Sequence, residues 1–188
     1  MLNDTQLHSV LQEHLHWNRA RITFIVAFVL ALMKVTTVNL TKVANALSGT
    51  ARKKSNYRRI QRFFSGFAFD YRAWSEMVLR LVPVKADFVL SIDRTNGRFG
   101  RFEINILMAG IVYQGTAYPL VWMLLDKAGS SNTAERTALI ERLLGVLPTA
   151  SIKAIVADRE FIGKKWLTTL DDYALPYYIR IRQNAQVS

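Results

Sequence analysis

Val89-Leu90-Ser91-Ile92-Asp93-Arg94-Thr95-Asn96 is an apolar run that ends on a carboxylate. Short apolar runs with polar boundaries read as buried strands. A second stretch, Ala154-Ile155-Val156-Ala157-Asp158-Arg159-Glu160, repeats the pattern. Between them lie two more apolar strand-like runs and one amphipathic helix. Two strands that each bring an Asp to the same end of a sheet point to a divalent-metal site, because hard cations take oxygen ligands.

Working outward, residues 87–93 form the first strand and Gly97 to Arg101 a turn. Residues 102–113 form the second strand. Gln114-Gly115-Thr116 is a Gly-containing hairpin turn, and 117–125 the third strand. A loop at 129–132 leads into a helix over 133–147, capped by Asn132 or Thr133 and ended by Pro148. Leu139, Ile140, Leu143, Leu144 and Leu147 share one side of it, with Glu135, Arg136 and Glu141 outside. A fourth strand (152–158), a helix (162–171) and a fifth strand (177–182) follow. Three meandering antiparallel strands, a helix and a returning strand describe a ribonuclease H-like layout in a mixed α/β class. The right-handed crossover lays the fourth strand parallel to the first and beside it.

In that layout Asp93 and Asp158 are neighbours. Two clustered carboxylates repel, and Mg2+ relieves the repulsion while keeping waters for a phosphate. Two such ions can activate the attacking oxygen and stabilise the leaving oxygen of a phosphodiester. Glu160 has two readings. It is either a third ligand on a continued strand, or an acid in the first turn of the next helix, favoured there by the dipole. Arg94, Arg159, Lys164 and Lys165 either hold DNA phosphates or, for the two Arg, balance local negative charge. Glu103, Asp126, Asp171 and Asp172 read as surface or capping groups.

The other half of the chain is helical and basic. The formal net charge is +11, and residues 1–86 hold 13 Lys+Arg against 4 Asp+Glu, while residues 87–188 hold 12 against 10. No acid occurs between Glu13 and Asp70. Such a balance favours polyanion partners, nucleic acid first. Residues 4–18 read as a helix; His14, His16 and Trp17 on it suit either a metal or base contact or a partly packed surface helix. Residues 21–34 form an apolar helix, hydrophobic nearly all round and hence buried. A helix over 40–47, capped by Asn39 or Thr41, stops at Ser48-Gly49. Arg52-Lys53-Lys54-Ser55-Asn56-Tyr57-Arg58-Arg59-Ile60-Gln61-Arg62-Phe63-Phe64 follows, with Ile60, Phe63 and Phe64 on its apolar face. This is a plausible helix-turn-helix arrangement. Arg52, Lys53, Lys54, Arg58, Arg59 and Arg62 would meet phosphates. Residues 70–82 form a last helix, with Asp70 its cap and Pro83 its end. The boundary is therefore expected there: a basic helical DNA-binding region over 1–85 and a ribonuclease H-like catalytic domain over 86–188.

Composition narrows the classes further. There is no Cys, which removes disulfides, thiolate zinc sites and thiol nucleophiles. Three His, all near the N-terminus, argue against a His-based triad. The apolar run Ile22–Met33 is shorter than the roughly 20 residues that span a bilayer, so a cytoplasmic protein without a membrane partner is expected.

Ser91-Ile92-Asp93-Arg94-Thr95-Asn96, the run Ile104 to Met108, Leu125-Asp126-Lys127 through Ser131-Asn132-Thr133, and Ala157-Asp158-Arg159-Glu160-Phe161-Ile162-Gly163 closely resemble the DDE transposases of bacterial insertion sequences. The resemblance covers the chain from about Asp87 onward. It implies Mg2+ (or Mn2+ in its place), no small-molecule cofactor, nicking of duplex DNA at element ends, strand transfer into target DNA, and self-association. Asp93 matches the family's first catalytic Asp and Asp158 its second. The third ligand, a Glu in a Tyr-x2-Arg-x3-Glu-x6-Lys motif, has no match in the 188 residues, so a C-terminally truncated, inactive transposase is expected. Relatives often carry Trp where this chain has Gly97, which would loosen the exit of the first strand. The alternatives are a non-catalytic DNA-binding fragment that inhibits the full-length transposase, and an inactive gene remnant.

Overall fold

A computed structural model describes residues 4–48, 52–100 and 102–181. They fall into two compact units that divide between Ala73 and Trp74. The division falls inside the helix expected over 70–82, ahead of Pro83.

The first unit holds α1 (Asp4–His14), α2 (Arg19–Val35), α3 (Leu40–Ala46) and α4 (Lys53–Gly66). Helices α2 and α3 start where an Asn side chain accepts their orphan N–H groups, whereas α4 begins after Arg52 without a side-chain cap. Asn18 accepts from Ala20 N, and Asn39 accepts from Thr41 N and Lys42 N. Helix α1 stops at His14, short of the expected 18. Gly49 of the expected α3 stop lies outside the described residues; α3 itself ends at Ala46, with Leu47 as its cap. Helix α2 has buried residues on two opposite sides, Ile22 with Val26 and Phe24 with Ala31, in keeping with a helix hydrophobic nearly all round, though Met33 near its end is 63% exposed. Phe24, Val43, Ala44, Leu47 and Ile60 join it in one core. Asn56 is buried in α4 and donates from Nδ2 to the Ala44 carbonyl at 3.3 Å, which fixes α4 on α3. Ile60 is buried as its spacing implies, and Phe63 is half-buried against Phe24 (4.5 Å) and Phe67 (4.6 Å). Phe64 departs from the sequence reading: it is 54% exposed, with its ring edge-on to Phe28 at 5.3 Å. Among the described residues no single helix is long and apolar enough to cross a membrane; α2 and α3 together are, but bend by 108°.

Helix α5 (Tyr71–Leu81) crosses the division. Asp70 caps it through Ala73 N at 2.9 Å. Its end is held by Lys85, whose Nζ donates to the carbonyls of Leu79, Arg80 and Val82. A cation there also suits the negative end of the helix dipole.

The second unit is built on a five-stranded sheet in the order β3-β2-β1-β4-β5. The strands are β1 (Phe88–Phe99), β2 (Phe102–Tyr113), β3 (Thr116–Leu124), β4 (Ile152–Ala157) and β5 (Tyr177–Ile179). The first three pair antiparallel, while β4 is parallel to β1 and β5 parallel to β4. This is the ribonuclease H-like order. Helices α6 (Thr133–Leu144) and α7 (Lys164–Asp172) supply the crossovers. Ser75 on α5 donates to the Leu120 carbonyl at 2.8 Å and Trp74 to that of Pro119 at 3.2 Å, so α5 packs on β3.

The β1–β2 hairpin is longer than expected. Pairing continues from Asp93 through Gly97↔Ile104 to Phe99↔Phe102, so Gly97 sits in the strand and does not loosen it. Arg101, the end of the expected turn, lies outside the described residues, as does residue 182 at the end of the expected fifth strand. The β2–β3 turn has positive φ at both Gln114 (48°) and Gly115 (76°), the requirement of a tight two-residue hairpin. Gly110 has a different reason: a Cβ there would meet the Tyr118 carbonyl oxygen at 2.8 Å, at the bulge in the β2–β3 register. Helix α6 begins with a reciprocal capping box between Asn132 and Glu135. It ends at Leu144, before the expected 147. Leu139, Ile140 and Leu143 are buried as expected, but so is Arg136, which the sequence reading placed outside.

Candidate functional site

Strands β1 and β4 deliver the two Asp side by side. Ile92 and Ala157 are register partners on these parallel strands, and the next residue on each is the carboxylate. Adjacent strands run about 4.8 Å apart. Side chains alternate faces, so Leu90, Ile92 and Ile155 fill the helix-covered core, while Ser91 and Val156 face the half-buried opposite side. Asp93 continues the second set. Asp158 does too, because its backbone is still extended (φ −79°, ψ 170°). Both carboxylates are exposed. In each, Oδ1 accepts from the following backbone N–H at 2.7 Å: Arg94 N for Asp93 and Arg159 N for Asp158. These local bonds orient the Asp93 side chain within β1 and the Asp158 side chain just past the end of β4.

The donors are hard carboxylate oxygens, and they fit a hard divalent cation as far as two ligands go. Among the described residues no group of three or more His, Cys, Asp or Glu side chains is placed to hold a metal ion. Glu160 does not continue the strand; it sits in the first turn of a helical segment, the nearer of its two sequence readings. It lies in a 3-10 turn, Arg159–Phe161, ahead of α7, and its carboxylate is gripped by Arg94. Arg94 donates from Nε to Oε1 and from Nη2 to Oε2, both at 3.1 Å. Such two-point pairs are among the stronger charge-assisted contacts. The Arg94 side chain is only 12% exposed. Of the two readings of Arg94, this ion pair favours charge balance over phosphate contact, and strand alternation puts the side chain on the Ile92 side of β1. Arg159, by contrast, is exposed beside Asp158.

Three polar groups under this pair escaped the sequence reading as functional. Asn105 is 2% exposed; its Nδ2 donates to the Lys127 and Gly129 carbonyls at 2.9 Å, and its Oδ1 accepts from Arg94 Nη1 at 3.4 Å. Arg136 is 6% exposed and donates from Nε to Ser131 Oγ (2.9 Å) and from Nη2 to the Ser131 and Glu160 carbonyls (2.8 and 2.9 Å). Its guanidinium lies 4.9 Å from the centre of the Phe161 ring. Burial lowers the Arg136 pKa, and the Glu160 and Glu135 carboxylates oppose that shift. Ser131 completes the group and is itself buried. Spacing offered a signal: Arg136 precedes Leu139, Ile140 and Leu143 by three, four and seven residues, which places it on their face of the helix.

In the first unit, Arg52, Lys53, Lys54, Arg58, Arg59 and Arg62 are all exposed, on or just before α4. Lys54, Arg58 and Arg62 follow one another at intervals of four and form one stripe. Arg59 is set apart, with its guanidinium 4.9 Å from the centre of the Phe24 ring. Lys53 and Lys54 also line a groove with Thr41, Ala44, Asn45 and Tyr57.

Residues 92–188 match the family model of the transposase DDE domain. No curated protein sequence matches the chain. Among solved structures, the magnesium-bound HTLV-2 integrase catalytic core domain aligns with 50% of this chain and 61% of its own, at 9% identity and TM-score 0.40. A simian T-cell lymphotropic virus intasome in complex with the regulatory subunit B56 gamma aligns with 53% and 34%, at 9% identity and TM-score 0.41. The Mos1 strand transfer complex aligns with 94% and 57%, at 12% identity and TM-score 0.36. The chain thus spans less than two thirds of the length of each of these three.

Proposed function

The chain belongs to the transposase DDE-domain family, and on that premise we propose that Asp93 and Asp158 are two ligands of a DNA-cleaving metal centre. The register pair Ile92↔Ala157 carries this reading, because it sets the two carboxylates at neighbouring positions on one face. A bound Mg2+ would supply activation of the attacking oxygen and stabilisation of the leaving oxygen. The chain's own residues do the rest. Asp93 and Asp158 present their oxygens to the cation, oriented by the Arg94 and Arg159 amides. Arg159 offers a cation to the phosphate beside Asp158. With Glu160 held by Arg94, the proposal gives Glu160 no place among the ligands.

The substrate in this proposal is duplex DNA, cut at element ends and joined to a target. Helix α4 is its docking element. Like charges at intervals of four cost an isolated helix a few tenths of a kcal/mol per pair. Phosphates along the Lys54–Arg58–Arg62 stripe would reverse that cost.

The test is Mn2+ binding to the protein, read by electron paramagnetic resonance, alongside metal-dependent nicking of plasmid DNA. Asp93→Asn and Asp158→Asn should each abolish both signals, while Asp126→Asn should change neither. Binding that survives either change would remove the pair from the centre. A second reading, DNA binding without catalysis, draws support from the commitment of Glu160 to Arg94. It predicts Mn2+ bound by the Asp pair and DNA retained without nicking.

A further inference from the structure

We propose that Arg94 and Glu160 form a clamp that sets the spacing of the two Asp, with Arg94 a positioning residue and Glu160 its anchor rather than a metal ligand. This rests on the reading of Asp93 and Asp158 as ligands. Arg94 immediately follows Asp93 on β1, and Glu160 lies two residues beyond Asp158. Their two-point contact therefore ties together the two chain segments that carry the carboxylates, one step past the last strand pair, Ile92↔Ala157. Strand hydrogen bonds between β1 and β4 stop at that pair, so beyond it no backbone ladder holds Asp158 beside Asp93.

The clamp is itself braced from two sides. Asn105 on β2 accepts from Arg94 Nη1 and anchors the loop after β3 through the Lys127 and Gly129 carbonyls. Arg136 on α6 holds the Glu160 backbone through its carbonyl oxygen. By side-chain alternation Arg94 points to the core side of β1, opposite to Asp93. Glu160 joins it there, so both oxygens of its carboxylate are directed away from the face on which the Asp pair stands. A carboxylate held on that side by a two-point Arg contact orients ligands without contacting the ion. Changes to such supporting groups typically weaken metal binding about 10- to 100-fold.

The test separates a clamp from a ligand by the sign of one effect. Mn2+ affinity is measured for the wild type, Arg94→Gln, Glu160→Gln and the double variant, each with its near-ultraviolet circular dichroism as a folding check. The clamp predicts that each single change weakens Mn2+ about tenfold or more, and that the double variant loses no more than either single. If Glu160 were a ligand restrained by Arg94, Arg94→Gln would release it and tighten binding, which overturns the proposal. A metal-independent readout runs beside it. Amide exchange at Arg159 and Phe161, whose N–H groups are bonded to Asp158, should quicken several-fold in Glu160→Gln while that of Ile155 in mid-β4 stays fixed. Unchanged exchange and unchanged affinity in the Arg94 and Glu160 variants would discard the clamp. Mn2+ binding indifferent to Asp93→Asn would instead discard the ligand pair, and the exchange data would still report on the clamp.

Discussion

Arg136 Nη2 donates to the backbone carbonyl of Glu160 at 2.9 Å, and this bond ties α6 to the turn that follows Asp158. The same side chain closes on Ser131 Oγ and the Ser131 carbonyl. Arg136→Met keeps most of the volume but leaves all three acceptors unpaired in a buried place. Unpaired buried groups cost about 1–3 kcal/mol each, with relaxation recovering part of the sum. We expect a loss of about 3 kcal/mol in urea unfolding, seen as a lower midpoint at unchanged slope. A shift corresponding to less than about 0.5 kcal/mol would show that the network is not structural.

Asn105 gives a second prediction. Its two Nδ2 bonds hold the Lys127 and Gly129 carbonyls against β2. Asn105→Leu matches the size but removes both donors, at about 2 kcal/mol. Thermal unfolding should fall accordingly, and amide exchange should rise across 126–132 before it rises in the sheet. Loss spread evenly over the whole sheet would contradict a local anchoring role.

The strand order and the Asp pair were legible because they follow from two short-range signals: apolar runs, and the right-handed crossover that returns β4 beside β1. Asp93 and Asp158 needed nothing more than matching positions at strand ends. The supporting groups were not legible for a physical reason. Glu160 and Arg94 are 66 residues apart in sequence, and their pairing depends on a 3-10 turn that no periodicity announces. Arg136 reads as an outward residue because its charge outweighs its spacing. Its inward position is tolerable only because Ser131 and Glu160 supply acceptors, and those contacts appear only once the chain is folded. The long hairpin beyond Asp93 escaped for a similar reason: Gly97 reads as a turn residue, yet Ile104 pairs across from it.

Glu135 gives a prediction in pH. Burial acts to raise its pKa, but the hydrogen bonds from Lys127 and the Asn132 N–H, with the Lys127 and Arg136 charges, win and hold it below the ordinary Glu range. A carboxyl with a lowered folded pKa stabilises the fold above the unfolded value of about 4.3. That contribution is lost as pH falls through the folded value. Glu135→Gln can keep the cap bond to Asn132 while losing the Lys127 ion pair at 2.9 Å. The wild type should therefore be the more stable form at pH 7 and 5, with the gap in urea midpoint closing towards pH 3. A gap independent of pH would mean that the ionised form of Glu135 contributes nothing.

The basic stripe on α4 gives the last prediction, and its readout is a slope. Each phosphate neutralised on duplex DNA contributes about 0.9 to the fall of log affinity with log salt. Lys54, Arg58 and Arg62 stand on one exposed line, so replacing all three with Ala should reduce the slope by about 3 and weaken unrelated duplexes alike. Arg59 should behave differently. Its guanidinium lies over Phe24, where an exposed cation–ring contact is worth about 0.5–1 kcal/mol. Arg59→Ala should lower the stability of the first unit by about that amount and change the slope less than Arg58→Ala does. If the triple change leaves the slope untouched, the stripe is a solvated face and DNA is held elsewhere. If Arg59→Ala flattens the slope as much as Arg58→Ala, its guanidinium leaves the Phe24 ring to reach the backbone of the DNA.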